Sequence, residues 1–185
     1  MNKIILASAS PRRKEIMELM GLDFSVCPSQ CEEVITETDP KKVVMELSRQ
    51  KAVDVACRAE GGDIVIGSDT VVALAGLILG KPHSREHAFS MLRSMSGLTH
   101  YVYTGVTILK NEQQVTFAEC TEVHVAAMSD DEINAYLDLG EYKDKAGAYG
   151  IQGRFAPYIT GINGDFYNVM GLPAAALYKH LKDFY

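Results

Sequence analysis

The chain has 185 residues, 47% hydrophobic and 23% charged, with a formal net charge of −6. That length buries a sizeable core in one domain, lobed or not, no apolar run approaches the ~20 residues of a membrane span, and the acidic balance argues against a general nucleic-acid binder, which carries a basic face. No secretion signal is evident at the start, so the cytoplasm is the expected location, and the four scattered cysteines, without paired C-x-x-C spacing, are expected to be reduced thiols.

Ile4, Ile5 and Leu6 suit a short buried strand, and Ser10 followed by Pro11 starts a helix, with serine as N-cap and proline where a missing N–H costs nothing. Ile16, Met17, Leu19 and Met20 give this helix one apolar face, and Gly21 ends it. Its free first-turn N–H groups, the positive end of its dipole and the guanidinium groups of Arg12 and Arg13 converge on an anion site for which a phosphate chain is the natural guest. A plain cap followed by a solvated basic turn is the alternative. Cations at a helix N-terminus oppose the dipole, so an anion there would offset them.

A second strand is expected over 23–27, then a loop over 28–38 carrying Glu32 and Glu33. Asp39-Pro40 repeats the cap-plus-proline start of a helix, with Val43, Val44, Leu47, Ala52, Val55 and Ala56 at helical spacing. Residues 63–70 read as a buried strand ending in a polar turn, 71–79 as a hairpin pivoting on Ala75-Gly76, and 84–95 as a helix stopped by Gly97. Two long strands follow, about 100–110 and 114–126, joined through Asn111. Ser129-Asp-Asp-Glu132 is a capping box opening another helix. Residues 140–153 form a polar, glycine-rich loop, Asn163-Gly164 marks a last hairpin, and a helix from about Pro173 closes the chain. Interspersed helices and strands predict an α/β fold, a mixed twisted sheet with flanking helices.

Three more stretches bear chemistry. Gly67-Ser-Asp-Thr70 puts a carboxylate at the C-terminal end of a hydrophobic strand, where open α/β sheets bind ligands; a turn residue satisfying backbone groups is the alternative. Gly80-Lys81-Pro82 presents a lysine rigidly, or merely at an exposed hairpin end. Asp144-Lys-Ala-Gly-Ala-Tyr-Gly-Ile-Gln-Gly153 lets backbone approach a ligand, and Gln152 can read a base edge with both donor and acceptor. His83-Ser-Arg-Glu-His87 matches an inverted zinc-protease pattern, but without a third ligand in context it reads as surface histidines.

Leu6-Ala-Ser-Ala-Ser-Pro-Arg-Arg13, Gly67-Ser-Asp-Thr70, Gly80-Lys-Pro82, Met91-Leu-Arg-Ser-Met-Ser-Gly97, residues 144–153 and Val169-Met-Gly-Leu-Pro173 together resemble the Maf family of nucleoside triphosphate pyrophosphatases, in order across nearly the whole chain. The resemblance implies hydrolysis of a nucleoside triphosphate to monophosphate and pyrophosphate with a divalent metal, Mg²⁺ or Mn²⁺. It also implies an elongated, two-lobed fold with a central cleft, similar to inosine triphosphate pyrophosphatases, and often a homodimer. It makes Asp69 the proton acceptor. At the positions of Arg12, Thr70 and Gln152 the residues are those of the branch acting on dTTP and UTP rather than 7-methyl-GTP.

The chemistry of the residues agrees. Cleaving the α–β linkage needs an oriented water, neutralised charge on the leaving pyrophosphate, and in-line placement. Asp69 can orient and deprotonate the water. Glu32, Glu33 and Asp69 offer hard oxygen ligands for Mg²⁺. Arg12, Arg13, Lys81 and Lys51 would hold the phosphate chain, with Ser8 bonding to it, although Lys51 also reads as part of an ordinary exposed helix face beside Arg49 and Arg58. Thr70 and Gln152 would choose the base, with modified pyrimidine nucleotides as further substrates of a house-cleaning enzyme. A pyrophosphatase for 7-methyl-GTP and a nucleotide-sensing protein influencing cell division or septum formation are the competing readings.

Overall fold

The computed structural model describes residues 3–185. Strand β1 (Ile4–Leu6) leads through helix α1 (Pro11–Leu19) to β2 (Phe24–Val26), and β2 leads through α2 (Pro40–Ala56) to β3 (Ile64–Leu74). Strand β1 lies between the other two and pairs in parallel with both, Ile4 opposite Phe24 on one side and Ile64 on the other. Parallel crossovers are right-handed, so a step outward to β2 and a step back across β1 to β3 put α1 and α2 on opposite faces. This reversal makes the C-terminal end of β1 a switch point of the kind that receives ligands.

The two faces are visible in β3, where side chains alternate. Val65 joins Ile5, Ala7, Ala52 and Val55 in one buried cluster, so the odd positions of β1 and β3 face α2. Gly67 lies on the same face and closer still: a Cβ there would stand 2.3 Å from the Ser48 carbonyl oxygen and 2.8 Å from the Ala52 nitrogen. Even positions face the other way, and the Ser68 hydroxyl donates to the Gly171 carbonyl at 3.1 Å. Of the four apolar residues expected to line α1, Ile16 and Met17 are buried and Leu19 is exposed.

The chain continues through β4 (Leu77–Leu79), α3 (Arg85–Met95), β5 (Thr99–Lys110), β6 (Gln113–Val125), α4 (Asp130–Asp138), β7 (Ile159–Asn163), α5 (Phe166–Met170) and α6 (Ala174–Leu181). The strands form a mixed seven-stranded sheet in the order β2-β1-β3-β5-β6-β7, with β4 paired antiparallel to β3. This is the mixed α/β architecture expected. No helix among the described residues is long and apolar enough to cross a membrane.

Two compact units result. One runs to Thr70 and includes 104–119 and 171–185; the other comprises 71–103 and 120–170. The first is built on Leu6, Ile16, Met17, Ile66 and Ile108, all buried. The second centres on Phe155, whose ring meets those of Tyr149, Tyr136 and Tyr158 at centroid distances of 4.8, 5.1 and 5.4 Å.

Three local expectations need correction. Gly67 to Thr70 is not a turn: β3 runs on to Leu74 and the chain turns at Ala75 and Gly76, both at positive φ. Its partner β1 stops at Leu6 instead, with a last bond from Ala7 N–H to the Ile66 carbonyl at 2.8 Å. Asn163-Gly164 turns a strand into a helix rather than into another strand, because Asp165 Oδ1 accepts the Tyr167 N–H at 2.7 Å and the Asp165 N–H is held by Thr121 Oγ1 at 3.0 Å. Ser10 occupies the N-cap of α1 without a side-chain capping bond. The Ser129 to Glu132 capping box is present in both halves.

Candidate active site

Where β1 stops, Ser8 begins the turn into α1 and Arg13 reaches back from that helix's first turn. Arg13 Nη1 donates to Ser8 Oγ at 3.0 Å, Nη2 to Thr70 Oγ1 at 3.1 Å, and Nε to the Gly171 carbonyl at 2.8 Å. One planar guanidinium thus ties together the β1–α1 turn, the even face of β3 and the segment before α6. Gly171 sits at φ 118, and a Cβ on it would come within 3.3 Å of Thr70 Oγ1, so both its conformation and its space call for glycine. Desolvation lowers the Arg13 pKa from its usual value, while the attraction of Asp69 opposes that shift. Guanidinium nevertheless stays charged in proteins.

Two consequences follow for the expected ligand contacts. Ser8 Oγ accepts from both Arg13 and the Ser10 N–H, the latter at 3.2 Å, so its own proton is left to donate elsewhere. Thr70 Oγ1 is engaged on two sides, by Arg13 and by Thr104 Oγ1 at 2.9 Å. Arg12 lies beside this network on the first turn of α1, half-buried.

On the odd face of β3, Asp69 follows Gly67 by two residues and so points toward α2. Lys51 meets it there: Nζ lies 2.5 Å from Asp69 Oδ1 and 2.9 Å from Glu33 Oε1. The lysine and aspartate side chains are 15% and 14% exposed, Glu33 48%, so the pair closest to β3 is well shielded. Lys51 therefore stands apart from the exposed helix face with which its sequence spacing grouped it. The backbone contact at Gly67 is what allows this, since it seats α2 directly on β3 at the turn that carries Lys51.

Glu32 is exposed and does not join Lys51 and Asp69. Among the described residues no group of three His, Cys, Asp or Glu side chains could hold a metal ion. Asp69 and Glu33 do direct carboxylate oxygens at a single cationic atom. That donor set fits a hard cation of the Mg²⁺ type, which takes one or two carboxylates and completes its shell with water and phosphate oxygens.

The other two candidates belong to the second unit. Lys81 is exposed in the connection between β4 and α3. Gln152 is exposed in the glycine-rich segment, which is folded rather than slack: Ala146–Ala148 is a 3₁₀ turn, the Gly147 N–H donates to the Gly80 carbonyl at 3.1 Å, and Tyr149 and Ile151 are buried. The segment bearing Gln152 is thereby tied to the residue before Lys81. In the His83 to His87 stretch, Ser84 caps α3 by accepting the His87 N–H, and His87 Nδ1 accepts the His83 N–H at 3.3 Å.

The family described as Maf-like protein matches residues 3–184. The chain belongs to that family. This Maf-like chain is 50% identical over 189 residues to a dTTP/UTP pyrophosphatase of Lachnoclostridium phytofermentans, covering 100% of this chain and 96% of that one. It is 50% identical over 199 residues to a dTTP/UTP pyrophosphatase of Agathobacter rectalis, covering 98% and 97%. Among solved structures, the Staphylococcus aureus Ham1 protein is similar at a TM-score of 0.49 and 13% identity, over 68% of this chain and 72% of that one.

Sequence reasoning missed Thr104, Ser68 and Gly171 in the Maf-like chain's site. Ser68 and Gly171 do lie in the Gly67–Thr70 and Val169–Pro173 motifs, but the partners that give all three residues their part are far away in sequence. It also missed Glu46, Gln50 and Asp54 on α2, for which a signal existed: three polar residues recurring every fourth position beside Lys51.

Proposed function

We propose that this chain hydrolyses dTTP and UTP between the α- and β-phosphates, releasing the monophosphate and pyrophosphate. The observation that carries the reading is the arrangement beyond the end of β1, where a helix N-terminus with Arg12, Arg13 and Ser8 lies beside a carboxylate, Asp69, clamped by Lys51. The names of relatives that match the full chain support it.

The residues divide the work as follows. The α1 N-terminus, Arg12 and the Ser8 hydroxyl proton bind phosphate oxygens. Arg13 holds Ser8 and Thr70 in place and adds positive charge. Lys51 fixes Asp69 through Oδ1, leaving Oδ2 to orient and deprotonate the attacking water. Lys81 neutralises the leaving pyrophosphate, and Gln152 matches the acceptor, donor, acceptor edge of a pyrimidine dione, where a mismatched partner leaves buried polar groups unpaired. Asp69 and Glu33 would hold a divalent cation, which would neutralise charge on the phosphates when bound.

The test is pyrophosphate release from dTTP, UTP, CTP, 7-methyl-GTP and ITP, with Mg²⁺ or Mn²⁺ and with chelator, for the native protein and Asp69→Asn. Selective release from dTTP and UTP, abolished by chelation and reduced about 10²- to 10⁴-fold in the variant, is expected. A fully active Asp69→Asn would remove Asp69 from its role. Nucleotide binding without release from any substrate would favour the nucleotide-sensing reading.

A further inference from the structure

The segment from Pro28 to Asp39 joins β2 to α2 without regular secondary structure, so its backbone groups must find partners elsewhere. Three side chains of α2 supply them. Asp54 Oδ2 accepts the Gln30 N–H at 2.8 Å and the Ser29 hydroxyl at 3.0 Å. Gln50 Oε1 accepts the Val34 N–H at 3.0 Å, and Gln50 Nε2 donates to the Val34 carbonyl at 2.6 Å. Glu46 accepts the Thr36 N–H at 3.0 Å and the Thr36 hydroxyl at 2.6 Å. Positions 46, 50 and 54 are four apart and form one stripe along the helix, so the segment is laced antiparallel along α2. The bonds from Thr36 hold the Glu46 carboxyl below its usual range, and those from Gln30 and Ser29 do the same for Asp54.

The middle rung is placed where it matters. Gln50 precedes Lys51, and Val34 follows Glu33, so the Gln50–Val34 pairing lies one residue along each chain from the Lys51–Glu33 ion pair. A half-exposed ion pair contributes about 0–1 kcal/mol and cannot by itself order a loop. A primary amide that both donates to and accepts from one residue's backbone fixes direction as well as position, as a strand ladder does.

We propose that Gln50 is a positioning residue for the active site: by bonding both backbone groups of Val34 it sets the register of the Pro28–Asp39 segment, delivering Glu33 to Lys51 and, through Lys51, steadying Asp69. Its catalytic consequence rests on the pyrophosphatase reading; the delivery of Glu33 does not.

Two measurements test the proposal on the full-length protein. The first is a kinetic cycle with dTTP comparing native, Gln50→Ala, Glu33→Gln and the double variant. A loss of about 10- to 100-fold in kcat/KM is expected for Gln50→Ala, with the double variant no worse than Glu33→Gln alone, because Gln50 acts through Glu33. Losses that multiply, or a fully active Gln50→Ala, overturn it. The second is an NMR measurement on the nucleotide-free protein, independent of turnover: the Glu33–Lys51 side-chain NOEs expected from their 2.9 Å contact should disappear in Gln50→Ala while α2 amides stay protected, and NOEs that persist in the variant overturn the proposal. An inactive native protein that shows the NOEs and loses them in Gln50→Ala would refute the pyrophosphatase reading and leave the positioning intact.

Discussion

Replacing Gly67 with alanine probes the contact on which the site is built. A Cβ at this position would sit 2.3 Å from the Ser48 carbonyl oxygen, 2.8 Å from the Ala52 nitrogen and 3.0 Å from the Ala52 Cβ. Ordinary contact begins at 3.4 Å, so α2 must retreat from β3 by about 1 Å, and the nearest atoms are mostly backbone that no rotamer change can move aside. Overpacking of this kind costs about 1–3 kcal/mol, which for a chain of this size lowers Tm by roughly 2–12 °C. The same displacement draws Lys51 away from Asp69 and should lower kcat/KM by about 10²-fold. Gly61→Ala is the matched control, since a Cβ there meets nothing within 4 Å and its φ is not positive; it should change stability by no more than about 0.5 kcal/mol. Urea and thermal unfolding followed by steady-state kinetics read both effects. Gly67→Ala with the native midpoint and native turnover would refute the argument that close backbone packing of α2 on β3 places Lys51.

Two further outcomes are expected. His100 is wholly buried, with Nε2 2.7 Å from the Tyr149 hydroxyl, and desolvation, aided by His124, lowers its pKa to about 4. Its ordinary value is about 6.5, so the unfolded chain takes up a proton first as the pH falls; the stabilisation is complete above about pH 6.5 and is lost progressively down to about pH 4, roughly 3 kcal/mol at most. His100→Gln should flatten the dependence of the urea midpoint on pH across that window, and an unaltered slope would show that another group carries it. Gln152→Ala should broaden base preference more than it slows hydrolysis of dTTP, so unchanged selectivity across the five triphosphates would remove Gln152 from base reading.

Much of the framework was legible because local chemistry and global fold agree. Pro11 and Pro40 start helices, Asp39 caps α2 by accepting the Lys42 N–H, and Ala75-Gly76 turns a hairpin, each a choice that a few neighbouring residues determine. Elsewhere the same signals were overridden. Gly67-Ser-Asp-Thr70 has the composition of a turn, yet it remains strand because Gly67 is needed where α2 touches the sheet and Ser68 and Thr70 have partners on the opposite face. Asn163-Gly164 has the composition of a hairpin, yet Asp165 redirects the chain into α5.

For the candidate site, a serine-rich turn before a proline-led helix put Ser8, Arg12 and Arg13 forward and a carboxylate on a buried strand put Asp69 forward, signals written in consecutive residues, while the part of Thr70 came with the family resemblance. Lys51 and Glu33 were named without their relation, and Gln50 was not named at all. Only the tertiary structure decided that Lys51 bridges Glu33 and Asp69, that Arg13 spends its donors on Ser8, Thr70 and Gly171, and that α2 laces the preceding segment into register. The physical reason is separation: these bonds join residues as far apart as Arg13 and Gly171, and their geometry is set by how closely a helix can lie on a sheet, a distance that no run of neighbouring residues encodes.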